Sequence, residues 1–139
     1  MTAKQATLRT RTGETMAAVL LVDDDPAVAK LCTRVLRSID GLEVLYADSG
    51  GGALKVASQY PRPIHVLLSD VVMPGAITGL QLAETLTRCR PELRVVLMSG
   101  LACELPAGKP EWQFISKPFF PGTLLSTIEE ALNRPTALP

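Results

Sequence analysis

The sequence predicts an α/β fold: one domain built on an open, five-stranded parallel sheet with helices on both faces. Three observations point there. Apolar runs of strand length recur at Ala18–Val22, Leu42–Ala47, Ile64–Leu68, Leu93–Met98 and Gln113–Ile115. Several of them are apolar without alternation, as central parallel strands covered on both faces are. Between the runs lie segments of helical spacing, and Pro or Gly marks most of the boundaries. Strands that alternate with helices build a parallel sheet, and right-handed crossovers restrict its topology.

The elements follow in order. Residues 1–15 are polar and Thr-rich and read as a flexible N-terminal arm; 16–134 form the folded domain and 135–139 a C-terminal tail. After the first strand, Pro26 opens a helix whose apolar face is Val28, Leu31, Val35, Leu36 and Ile39, and Gly41 stops it. Asp48 or Ser49 can cap the second helix, which carries Ala53, Leu54, Val56 and Ala57 and ends before Pro61 and Pro63. The third helix reads as Gly79–Cys89, with Leu80, Leu82, Ala83 and Leu86 inward, broken by Pro91. Residues 101–111 hold Pro106, Gly108 and Pro110, so the fourth helix, between the last two strands, is expected to be short, irregular or missing. A final helix carries Leu124, Leu125, Ile128 and Leu132 and stops at Pro135.

Composition narrows the function classes. The chain has 139 residues, 47% of them hydrophobic, enough for one core. Lys plus Arg equals Asp plus Glu at 14 each, which leaves no electrostatic footprint for direct nucleic acid binding or for an anionic membrane. The apolar run from Met16 to Val22 is too short for a membrane span and ends in acid. Cys32, Cys89 and Cys103 have no CxxC spacing and read as small hydrophobes or surface thiols of a reducing compartment, here the cytoplasm.

The chemistry gathers at strand ends. Asp23, Asp24 and Asp25 directly follow the first strand. Two carboxylates about 4 Å apart repel by roughly 4 kcal/mol at an effective dielectric near 20. A cation has to offset that, and hard oxygen ligands suit Mg²⁺. Asp70 follows the third strand, Ser99 the fourth and Lys117 the fifth. In open parallel sheets, ligands bind outside these carboxyl ends, near a switch in strand order.

Four segments then carry a resemblance: Leu20-Leu21-Val22-Asp23-Asp24-Asp25-Pro26, Leu68-Ser69-Asp70-Val71-Val72-Met73-Pro74, Met98-Ser99-Gly100 and Ser116-Lys117-Pro118-Phe119. Together, in this order, they resemble the receiver domain of two-component response regulators over roughly residues 17–134. The resemblance implies a flavodoxin-like, doubly wound sheet of order 2-1-3-4-5. It implies that Asp70 accepts a phosphoryl group from a histidine kinase or histidine phosphotransfer protein. Asp23, Asp24, Asp70 and the backbone carbonyl of Val72 would hold Mg²⁺. Lys117 would bind Asp70 at rest and a phosphoryl oxygen afterwards. Ser99 would donate a hydrogen bond to that group, worth roughly 1.5–3 kcal/mol. Ser99 and Phe114 stand at the switch positions; Phe114 lacks a hydroxyl, so its rotamers would differ by packing alone. The implied protein is a signalling module that phosphorylates itself rather than a turnover enzyme. It would bind or relay to a downstream protein as a monomer or weak dimer.

Other readings compete. Asp25 reads as a helix cap before Pro26, His65 as structural, Phe114 as plain core, and Ser49-Gly50-Gly51-Gly52 as a flexible helix start rather than a phosphate loop. Asp23-x-Asp25 also resembles the nucleophile motif of haloacid-dehalogenase-like phosphatases, with Asp23 as nucleophile and Asp25 as acid/base. That reading leaves Asp70 without a role and lacks acids on a loop after Lys117. A phosphorylation-independent binding module on the same fold is the third reading. The loop from Val72 to Gly79 is one residue longer than the common receiver form and has no acid before Gly79, a variant similar to receivers attached to hybrid histidine kinases. Val72 and Leu101 are apolar and cannot orient an attacking water, so autodephosphorylation is expected to be slow.

Overall fold

The computed structural model describes residues 17–73, 75–100 and 111–133. The expected arm, the C-terminal tail and residues 101–110, which hold most of the interval of the expected fourth helix, lie outside the described residues. Within them the chain runs β1 (Ala17–Val22), α1 (Pro26–Leu36), β2 (Leu42–Ala47), α2 (Gly50–Gln59), β3 (Val66–Asp70), α3 (Gly79–Cys89), β4 (Arg94–Ser99), β5 (Gln113–Ser116) and α4 (Pro121–Asn133). The strands form one sheet of order β2-β1-β3-β4-β5, and all neighbours are parallel. The doubly wound fold class expected from the sequence is the one observed.

Strand alternation divides the core in two. Ala17, Val19 and Leu21 of β1 face one side with Val66, Leu68, Val96 and Met98; there they meet Cys32, Val35 and Leu36 of α1 and Leu124, Ile128 and Ala131 of α4. Leu20, Val22, Leu67, Val95 and Leu97 face the other side, against Ala53 and Ala57 of α2 and Leu82, Ala83 and Leu86 of α3. Burial of this kind contributes about 25 cal/mol per Å² of apolar surface.

Local chemistry sets the helix starts. Asp25 Oδ1 accepts from the Ala27 amide at 2.9 Å, and Pro26 occupies the first turn. Ser49, not Asp48, caps α2 by accepting from the Gly52 amide at 3.0 Å, so the glycine run is a helix start. Thr78 and Gln81 close a reciprocal capping box on α3. Gly41 takes φ +80° between α1 and β2, a region open to glycine.

Four of the five strands shift from their expected bounds: β1 starts one residue earlier, at Ala17, β5 ends one residue later, at Ser116, and β3 and β4 move further along the chain. β3 begins at Val66 rather than Ile64: the paired register with β1 and β4 starts at Val66, although Ile64 is buried. β4 runs to Ser99, which pairs with Ser116 of β5. Asp70 and Ser99 are therefore the last residues of their strands, not the residues after them. His65 is structural as expected: its Nδ1 accepts from the Ala18 amide at 3.1 Å, while its own amide donates to the Ala18 carbonyl at 2.8 Å. Burial lowers its pKa, which keeps Nδ1 available as an acceptor.

Candidate functional site

The sheet order brings together residues far apart in the chain. Asp23 follows β1, Asp70 closes the adjacent β3, Ser99 closes β4 and Lys117 follows β5. Lys117 Nζ donates to Asp23 Oδ2 at 2.8 Å across 94 positions of sequence, and to Asp70 Oδ2 at 3.2 Å. Asp23 is fully buried; its Oδ1 accepts from the Asp25 amide at 2.8 Å. Asp70 Oδ1 accepts from the Val72 amide at 3.2 Å. Asp24 stands at the exposed mouth. Ser99 is buried, and its carbonyl accepts from the Lys117 amide at 2.7 Å, which ties the two strand ends together. The Lys117–Pro118 peptide bond is cis. Phe114 is half-buried on β5 and packs with the cluster beneath α2 and α3.

Asp23, Asp24 and Asp70 each offer a carboxylate oxygen, all within 4.8 Å of one another. Opposite ligands of an octahedral Mg²⁺ lie about 4 Å apart. The three oxygens thus fit that ion with a small contraction, and their hardness matches it.

The electrostatics follow from one ammonium shared by two carboxylates. Burial raises the Asp70 pKa above the usual 3.8, and Lys117 only partly offsets this. The shorter bond of Lys117 goes to Asp23, so Asp70 receives the weaker share. Burial would lower the Lys117 pKa, but its bonds and charge attraction to Asp23 and Asp70 outweigh this and raise it above 10.5. Lys117 stays charged at neutral pH. Nearby, burial and the Asp23 charge, opposed by Lys117, push the Cys32 thiol up to about 12. Burial, helped by Asp48, Asp23 and Asp24, raises the Tyr46 hydroxyl above 10.

Two contributions escaped the sequence reading. Tyr46 Oη donates to the Asp23 carbonyl at 2.8 Å. Gly79 begins α3 directly against the carboxyl end of β3: its amide donates to the Val71 carbonyl at 2.9 Å, and a Cβ there would overlap the Asp70 carbonyl oxygen. Both act on backbone, so no pattern of side-chain chemistry marks them. The glycine alone carried a hint, as a residue needed where two backbones approach closely. The acid/base role that the phosphatase reading gives Asp25 conflicts with its use as the α1 cap. Asp70, idle in that reading, shares Lys117 with Asp23.

Comparison with known proteins agrees with this geometry. Residues 19–129 match the family described as the response regulator receiver domain. The chain is 34% identical over 123 residues to the sensor kinase CckA of Brucella abortus (strain 2308), covering 85% of this chain and 13% of that protein. It is 44% identical over 90 residues to the response regulator GacA of Pseudomonas viridiflava, covering 64% of this chain and 40% of that protein. The chain thus spans less than half the length of either relative. Among solved structures, the receiver domain of the hybrid histidine kinase CckA superposes with a TM-score of 0.72 at 32% identity, covering 84% of this chain and all of that one. The similarity to hybrid-kinase receivers read from the Val72–Gly79 loop is found here.

Proposed function

The chain belongs to the response regulator receiver domain family, and on that premise we propose that Asp70 is its phosphoacceptor, served by a histidine kinase or histidine phosphotransfer protein. The observation that carries this reading is the convergence of the Asp23, Asp24 and Asp70 carboxylates at the carboxyl edge of the sheet, with Lys117 shared by Asp23 and Asp70. One Asp70 carboxylate oxygen attacks phosphorus. The bond from phosphorus to the donor's histidine nitrogen breaks, and its electron pair stays with the imidazole. Asp23, Asp24, Asp70 and the Val72 carbonyl would hold Mg²⁺, which would neutralise charge on the transferring oxygens. Lys117, already bonded to Asp70, moves to a phosphoryl oxygen. Ser99 donates a hydrogen bond to the same group and draws the end of β4 toward it. Phe114 responds by packing alone. A change worth roughly 1.5–3 kcal/mol shifts a two-state loop by one to two factors of ten.

Residues 16–134 act as the receiver unit, a signalling module rather than a turnover enzyme. It works in the cytoplasm, as a monomer or weak dimer, and passes its state to a downstream protein. No described helix is long and apolar enough to cross a membrane.

Intact mass after incubation with Mg²⁺ and acetyl phosphate tests the reading. One added phosphoryl group is expected on wild type and none on Asp70→Asn; an adduct that persists in Asp70→Asn would overturn it. The decay of the same adduct reports lifetime. Val72 is 62% exposed beside Asp70 and apolar, so it offers no polar group to orient water. A half-life of many minutes is expected, and one of seconds would contradict it.

A further inference from the structure

The carboxylates of the cation site are not held alike. Lys117 and the Asp25 amide fix that of Asp23, and Lys117 and the Val72 amide fix that of Asp70. None of the described hydrogen bonds reaches the carboxylate of Asp24, which is exposed. Its direction is set by the backbone that carries it, beginning with the Asp23–Asp24 peptide unit. That unit is held from β2. The register pairs Leu21 with Tyr46 and Val22 with Ala47, and the Asp23 amide continues it by donating to the Ala47 carbonyl at 3.3 Å. Tyr46 Oη then donates to the Asp23 carbonyl at 2.8 Å, from a side chain 23 positions away. Tyr46 is 44% exposed, so its ring buries less than an interior residue would, while its hydroxyl proton is committed to the Asp23 carbonyl.

We propose that Tyr46 is a positioning residue that aims Asp24 and thereby sharpens the preference of the site for Mg²⁺ over Ca²⁺. The proposal rests on the cation-site reading above. Mg²⁺ demands near-ideal octahedral geometry at about 2.1 Å, whereas Ca²⁺ accepts 6–8 ligands in flexible arrangements. Loosening one ligand therefore penalises Mg²⁺ more. Removing a group that orients a ligand costs about 10-fold or more in metal affinity.

Calorimetric titration of the full chain with Mg²⁺ and with Ca²⁺, for wild type and Tyr46→Phe, tests it. The Phe variant keeps the ring, and a thermal melt in EDTA verifies its fold. Mg²⁺ affinity is expected to fall about 10-fold and Ca²⁺ affinity about 2-fold at most, so that the ratio drops. Equal loss for both ions would mark a merely structural role and overturn the proposal, as would an unchanged Mg²⁺ affinity. A wild type that binds neither ion would overturn the cation-site reading together with the proposal.

Discussion

Asp70 is a carboxylate whose charge the fold resists. Burial holds its pKa above 3.8 despite Lys117, so ionising it costs stability. That cost is absent below about pH 3.8, where Asp70 is protonated in both folded and unfolded chains. It is complete above the raised folded value. Asp70→Asn is therefore expected to melt higher than wild type at pH 7 in EDTA; a rise of about 3–5 °C corresponds to ~1 kcal/mol in a domain of this size. The difference should close as pH falls toward 3.8, and a calorimetric pH series reads it. A variant that melts lower at pH 7 would mean that the bond to Lys117 outweighs burial. At this scale the sequence was legible where residue type itself is the chemistry. Asp23, Asp24 and Asp70 stood out because carboxylates at strand ends call for a cation, whereas Ser99 and Lys117 stood out only together with the other motifs. Tyr46 read as one more apolar strand residue, because its partner is a carbonyl of another segment.

Among the elements, the α3 start matters most to the site. Gly79 lies against the backbone of Asp70 and Val71; a Cβ would sit 2.9 Å from both the Asp70 carbonyl carbon and the Val71 Cα. Backbone cannot swing away as a flexible side chain can. Gly79→Ala is expected to cost about 3 kcal/mol, at the upper range for overpacking, and to slow phosphoryl acceptance by displacing the end of β3. Urea unfolding checks the first effect and intact mass the second. Most elements were legible to within a residue or two. The bounds of α3 were read correctly because helical spacing and the Pro91 break agree, and its capping box reinforces the start. The start of β3 was misplaced because Ile64 is as apolar as its neighbours. Hydropathy reports burial, and a residue can be buried, as Ile64 is, without belonging to the paired ladder.

For the whole molecule, the three large hydrophobic side chains found exposed among the described residues are Tyr46, Val72 and Phe120, at 44, 62 and 79%. All three stand at the carboxyl edge of the sheet, around the acidic pocket. If the proposed kinase docks over this pocket, these side chains are the exposed apolar groups it would meet. Phe120→Ser is expected to slow phosphotransfer from the cognate kinase about 10-fold while leaving the acetyl phosphate reaction near wild type, because the small donor needs no rim. Parallel rate measurements with the two donors separate docking from chemistry, and equal loss with both would remove Phe120 from the rim. The opposite edge offers an experimental handle. α3 runs back from the site and ends there with Cys89, exposed, while Cys32 is fully enclosed with its thiol pushed up to about 12. Of these two thiols, a maleimide dye can reach only Cys89. A fluorophore placed there would report a partner's approach by energy transfer without covering the carboxyl edge of the sheet.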